Sequence, residues 1–344
     1  MKVILERILL LSAAVCVLSL ASCKKKEDNP SIKYFSGQLS VNLPAFAAPG
    51  ETIHLSPGEL KKEDGTTNVG YFWKVSGAAK ADTVRRESDP LSVSPNYDFT
   101  VPDTTGTLEL MVGAFANDYF SLTATGTVSV VKGGLNKGSL TNFDLHDDDG
   151  TLLDKRDNRT YLTTLIGETE WMRQNLAYEG CGTPYSDIEL MNGIFGRFYT
   201  WEEANNGNVC PEGWAIPSEE DWVELANVCG DADAVKYGIF TGIAGQNMVD
   251  ARFNGRPMWE FWPQVVLSDS NRFAALPLGF CEIISDSHKF RDWGEYAGYW
   301  TSDEFGEGGT DGVYRYFHVE SDNIFAGNGG KSNLAMNVRC IKKN

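Results

Sequence analysis

Histidine is scarce in this chain of 344 residues, positive charge is outnumbered, and the loops that mark nucleotide, serine-hydrolase and zinc chemistry are missing. Four histidines, His54, His146, His288 and His318, are scattered without a His-Glu-x-x-His spacing, so no zinc site is expected. There is no Gly-x-Ser-x-Gly, no phosphate-binding loop and no dinucleotide fingerprint. With 30 Lys and Arg against 47 Asp and Glu, the formal net charge is −17. A body that acidic repels phosphate backbones, which argues against nucleic acid as a partner. Between Cys23 and Cys181 there is no cysteine, so whatever folds there is held by packing alone.

Long apolar runs are missing too, apart from one at the start. Lys2, Glu6 and Arg7 precede an apolar run from Ile8 to Leu20, shorter than the roughly 20 residues that cross a bilayer comfortably. The pattern reads as a secretory leader over residues 1–22. Leu-Ala-Ser-Cys at 20–23 resembles the lipobox of bacterial lipoproteins, which implies acylation of Cys23 and an anchor in the outer membrane. Acyl chains contribute about 0.8 kcal/mol per buried methylene, so several of them hold a protein on a bilayer. Residues 23–35 then form a polar tether beginning Lys-Lys-Lys-Glu-Asp. Its acidic pair resembles the export signals of surface lipoproteins in Bacteroidetes-type bacteria, and a solvated spacer is the plainer reading. The expected location is therefore the cell envelope, surface-exposed and disulfide-permissive.

A length of 344 residues exceeds what one core organises, so two domains are expected. Residues 36–133 read as an all-β immunoglobulin-like sandwich. The runs LSVNL, VGYFWKV, YDFTV, LELMVGAF and TGTVSVV are separated by turn clusters, and Trp73 is the inward tryptophan of a central strand. Lys132-Gly-Gly-Leu-Asn-Lys-Gly138 reads as a flexible joint opening a linker over 134–150. From 151 to 344 the style changes to short strands, frequent Trp and Gly, and a helix starting at Ser218. There Ser-Glu-Glu-Asp approximates a capping box, and Trp222, Leu225 and Ala226 share one face. A second helix is expected over 200–204.

Seven ordered motifs resemble one family, the Fibrobacter succinogenes major paralogous domain (FISUMP). They are Asp154-Lys-Arg-Asp-Asn-Arg-Thr-Tyr161, Leu165-Ile-Gly-Glu-Thr-Glu-Trp-Met-Arg-Gln-Asn-Leu176, Gly196-Arg-Phe-Tyr-Thr-Trp201, Cys210-Pro-Glu-Gly-Trp-Ala-Ile-Pro217, Phe273-Ala-Ala-Leu-Pro-Leu-Gly279, Gly298-Tyr-Trp-Thr-Ser302 and Asn337-Val-Arg-Cys340. Asn158 stands where the family hairpin has glycine, a substitution that a left-handed turn tolerates. The resemblance implies an α+β C-type-lectin-like fold related to the formylglycine-generating enzyme. It also implies a Cys210–Cys340 disulfide, because those motifs are neighbours in such a fold. For Cys181, Cys229 and Cys281 the sequence makes no choice of partner.

The chemistry this resemblance leaves is binding. The catalytic cysteine segment of the related oxidase has no counterpart here, and the calcium-lectin triplets Glu-Pro-Asn, Gln-Pro-Asp and Trp-Asn-Asp do not occur. Asp147-Asp-Asp-Gly150 fails as a calcium loop, since aligning Gly150 with the glycine of an EF-hand puts Leu145 and Arg156 at ligand positions. It reads as a solvated turn. Glu202 with Glu203, and Glu219 with Glu220, are adjacent on helices and read as solvated caps rather than a catalytic pair. No cofactor, no metal and no enzymatic activity are expected. The candidate ligand contacts are the aromatic residues Trp259, Phe261, Trp262, Trp293 and Tyr296, suited to stacking on a glycan or gripping a surface protein, whereas Trp300 reads as core. Two other readings are an accessory of a surface fibre or complex, and a divergent enzyme on the same scaffold.

Overall fold

A computed structural model describes residues 32–77, 95–259 and 265–342. The expected leader, Cys23 and most of the expected tether lie outside the described residues, as do Phe261 and Trp262. Strand dominates, and among the described residues there are three short α-helices.

The first unit is built from β-branched and aromatic residues at alternate positions. Gly106–Phe115 pairs antiparallel with Gly70–Gly77 on one side and with Leu122–Val130 on the other, and Phe46–Ala47 adds in parallel beyond that. Thr52–Leu55 pairs with Tyr97–Thr100 in a separate ladder. The core joins the two, with Leu55, Tyr97 and Phe99 from the ladder against Trp73, Val75, Leu108, Leu110 and Val112 from the sheet. Trp73 is buried, stacks 5.6 Å from Tyr97 and donates Nε1–H to the Pro95 carbonyl at 3.0 Å. It points inward as expected, but its strand is the edge of the described sheet, not its centre. The run at 39–43 joins no described strand. The Ser40 N–H donates instead to the Pro57 carbonyl, and Val41 passes so close to Gly126 that a Cβ there would come 2.9 Å from the Val41 carbonyl oxygen.

The glycine-rich joint is a folded turn, not a flexible linker. Ser139 and Lys132 exchange hydrogen bonds of 2.9 and 3.0 Å. The Asn136 amide does the same with Phe143, donating at 2.6 Å and accepting at 3.0 Å. Gly138 is required because a Cβ would lie 2.3 Å from the Lys132 carbonyl oxygen. Leu140 and Phe143 are buried, and Leu140–Thr141 pairs with Arg252–Phe253. Asn254 reaches back to Ser129 and Val130 at 3.0 and 3.1 Å, so the joint binds both units together.

Two five-stranded sheets form the frame of the second unit. One runs Gly150–Asp154, Arg159–Ile166, Thr169–Met172, Ile341–Lys342, Trp214–Ala215; the other Thr183–Pro184, Arg197–Thr200, Leu334–Met336, Phe280–Ile284, Ser287–Arg291. A three-stranded sheet, Tyr296–Phe305, Asp311–His318, Ile324–Gly330, packs beside them. The C-terminal strand is thus interior to its sheet. Helix α1 is Glu189–Phe195, which the sequence reading missed; α2 is Trp201–Ala204 and α3 is Glu219–Cys229. Thr200 caps α2 with Glu203, and Ser218 caps α3 with Asp221, each as a complete capping box. Trp222, Leu225 and Ala226 face a core that includes Trp171, Phe273 and Tyr299.

Candidate functional site

The pairing of Cys210 with Cys340 is present, with Cα atoms 5.9 Å apart; Cys181, Cys229 and Cys281 are free thiols. Next to Cys340, the guanidinium of Arg339 is fully buried. It donates to the Asn175 Oδ1 at 2.7 Å and to the carbonyls of Met172, Phe273 and Ala274 at 3.1, 2.6 and 2.8 Å. The crosslink therefore fixes Arg339, and Arg339 fixes Asn175.

Asn175 stands on the wall of a cavity of about 490 Å³. The strand Arg159–Ile166 contributes Arg159 and Tyr161, the following segment Gln174 and Asn175, α1 Asn192, Gly193 and Phe195, and the joint Leu140 and Phe143. The amides line the hollow together with Arg159, Thr160 and Lys137 and with apolar side chains such as Leu140, Phe143 and Leu276. The Gln174 Oε1 accepts from the Leu162 N–H at 2.8 Å, and its Nε2 has no protein partner among the described residues. The Asn175 Nδ2 donates to the Phe195 carbonyl at 3.0 Å. The Asn192 Nδ2 donates to the Ala177 carbonyl and to Glu179, while its buried Oδ1 has no partner among the described residues. The Tyr161 hydroxyl accepts from the Ala177 N–H at 3.1 Å, and burial pushes its pKa up to about 12, so it stays a neutral phenol. Arg159 lies 3.5 Å from Glu179 and 3.8 Å from Asp157 at the rim. Gly193 opens onto free space, for a Cβ there meets nothing within 4 Å.

A second hollow of about 730 Å³ is lined by Thr163, Thr164, Glu170 and Arg272. Its polar groups are already engaged: Thr163 donates to Glu170 at 2.7 Å, Lys342 to the other Glu170 oxygen at 2.9 Å, and Arg272 to Thr164 at 3.2 Å. Saturated groups gain little from a ligand, so the first cavity is the better site.

The aromatic residues singled out from sequence are not brought together there. Trp259 is 2% exposed and donates Nε1–H to the Ala275 carbonyl at 3.3 Å, so it is core and not a ligand platform. Tyr296 is likewise buried, stacked 4.8 Å from Tyr316 and edge-on to Phe280. Trp293 is half-buried, 4.7 Å from Tyr185 and 5.2 Å from Phe195, and backs the cavity wall from behind. Trp300 is core, as read.

Two acidic groups also depart from expectation. Glu219 is not a solvated cap: it is fully buried, paired with Arg315 at the same depth, and accepts from the Tyr237 N–H at 2.7 Å. Asp149 is not in a solvated turn, since it is buried against Arg173 at 2.6 Å, with Arg272 3.4 Å away. No cluster of three or more His, Cys, Asp or Glu suited to a metal ion occurs among the described residues. Nor does any described helix have the length and apolar character to cross a membrane.

Sequence reasoning missed Gln174, Asn192 and Gly193. The signal available was the polar triplet Arg173-Gln174-Asn175 set inside an apolar segment, a place where side chains are buried and their polar atoms need partners.

The family model described as Fibrobacter succinogenes major domain matches residues 165–342, just over half of the chain. No curated protein and no solved structure matches.

Proposed function

The chain belongs to the Fibrobacter succinogenes major domain family, and from that premise we propose a binding protein of the bacterial envelope. In this reading it is an outer-membrane lipoprotein anchored through Cys23, non-enzymatic, whose C-type-lectin-like head takes a glycan into the cavity beside α1. The observation that carries the reading is the lining of that cavity. An unpartnered buried acceptor on Asn192, a free donor on Gln174 and the ring of Tyr161 line one hollow. A sugar hydroxyl both donates and accepts, and a sugar ring presents an apolar face, so a saccharide suits a lining of amides and an aromatic ring. The volume lies within the roughly 300–1,000 Å³ of small-ligand sites.

Gly193→Phe tests it. The new side chain enters open space and improves helix propensity by a few tenths of a kcal/mol, so the fold is retained while the mouth is filled. The expected result is a glycan-array hit for the wild type whose affinity falls at least about tenfold, or 1.4 kcal/mol, in the variant at an unchanged melting temperature. A glycan bound equally by both overturns the site. No glycan bound, with a protein partner captured instead through this face, favours the assembly-accessory reading.

A further inference from the structure

We propose that Ile32, Tyr34 and Phe120 form a seating surface that lies against the anionic phospholipid layer in which the chain is anchored. Among the described residues of the first unit these are the large apolar side chains left exposed, at 61, 64 and 55%. They form one patch. The Lys33 N–H donates to the Asp118 carbonyl and the Phe120 N–H to the Lys33 carbonyl, both at 2.9 Å, which fastens the entering chain to the turn after Gly106–Phe115. Extended backbone then turns Phe35 inward onto Tyr119, 4.8 Å away, and leaves Ile32 and Tyr34 outward, with Tyr34 6.1 Å from Phe120.

The position of the patch names its occupant. Ile32 lies nine positions after Cys23, a reach of at most about 30 Å, so an acyl chain on Cys23 holds the patch close to the bilayer. Lys24, Lys25 and Lys26 lie in that stretch, a basic run on an otherwise acidic chain, and anionic headgroups attract such a run. Tyrosine and phenylalanine are side chains that settle at the headgroup boundary. The strand Leu122–Val130 leads away from the patch for nine residues, about 26 Å, before the joint, so seating this end leaves the cavity end facing away from the lipid. The inference rests on the acylation of Cys23 in the function proposed above and goes beyond it in assigning a protein surface to the membrane.

The test reconstitutes the full acylated chain into phosphatidylethanolamine–phosphatidylglycerol vesicles that carry a photoreactive phospholipid, and maps the labelled peptides by mass spectrometry. Peptides covering 32–35 and 117–121 are expected to take at least about tenfold more label than the 306–310 turn, as full burial of an aromatic side chain implies. The double variant Tyr34→Ser, Phe120→Ser is expected to lose that label without a change in melting temperature, since both side chains are exposed. Label confined to residues 23–31, or crosslinks joining two copies through the patch, overturns the proposal. An N-terminal peptide without acyl mass sinks the anchor and the proposal together, whereas an acylated peptide with an unlabelled patch sinks the proposal alone.

Discussion

The two halves of this molecule are held by different physics. Among the described residues up to 131, every buried side chain is hydrophobic; the buried polar and charged residues begin at Ser139 and include Arg173, Arg197, Glu219, Asp269, Arg315 and Arg339. The first half is a pair of β layers over an apolar core, with neither a crosslink nor a buried charge among its described residues. The second half consists of short strands and irregular connections whose ends are tied by guanidinium groups and one disulfide. Regular strands satisfy their own backbone, so a side-chain core suffices. Irregular loops leave carbonyls unpaired in the interior, and a buried arginine supplies five donors to them. Arg339, serving the carbonyls of three residues, is the clearest instance.

That contrast can be broken most directly at the crosslink. The double substitution Cys210→Ala, Cys340→Ala opens a loop with a sequence separation of 130, and about 4–5 kcal/mol is expected to be lost in the chain-entropy picture. Region-resolved hydrogen exchange is the measurement. Amides in 150–342 should speed up while those of Gly106–Phe115 do not, and equal acceleration of both would show that the units share one stability. Next in size is Glu219→Ala. It leaves Arg315 charged and unpaired in a dry interior, at an expected cost of about 3–5 kcal/mol by denaturant titration. A loss below about 1 kcal/mol would mean that the Gly238 carbonyl, which accepts from Arg315 at 2.6 Å, and the Phe240 ring under it at 3.7 Å suffice by themselves.

The smallest effect is a dependence on pH. Burial pushes Asp269 up to about 6, against the pull of the Ala274 N–H and of Arg173 at 3.2 Å. The unfolded group titrates near about 3.9, so between about 4 and 6 the folded chain holds a proton that the unfolded chain has lost. This group's contribution is therefore largest at the acid end, declines as pH rises through that window, and is constant above it. Subtracting the stability of Asp269→Asn from that of the wild type at each pH isolates a decline of about 1–3 kcal/mol, since a tenfold change in proton affinity is worth about 1.4 kcal/mol. A rise over the same window would show that Arg173 outweighs burial.

Much of this architecture was legible beforehand, where the signal was local. The capping box at Ser218 was readable because a hydroxyl followed three residues later by a carboxylate is a short-range arrangement, and the expected helix at 200–204 proves to open on the same arrangement at Thr200. Asn158 adopts a φ of 60°, the left-handed turn expected of it. What failed was placement in depth. Lys132 to Gly138 has the composition of a flexible linker, yet its Gly138 serves a close backbone approach and its Asn136 ties the turn shut. Trp259, on a loop, has the profile of a ligand contact but is enclosed by a core that includes Phe273 and Ala275. α1 was missed because Leu190, Met191, Ile194 and Phe195 lack a capping side chain ahead of them; Ile188 occupies the N-cap.

The amino-acid order alone determined the β character of the chain, the starts of α2 and α3 and its family, because strand alternation, caps and short motifs are encoded within a few neighbouring residues. Only the tertiary structure decided which polar groups are buried with a partner and which line a hollow without one. Glu219 meets Arg315 across 96 positions and Arg339 meets Asn175 across 164. Burial is a property of everything packed around a side chain, and no window of sequence contains it.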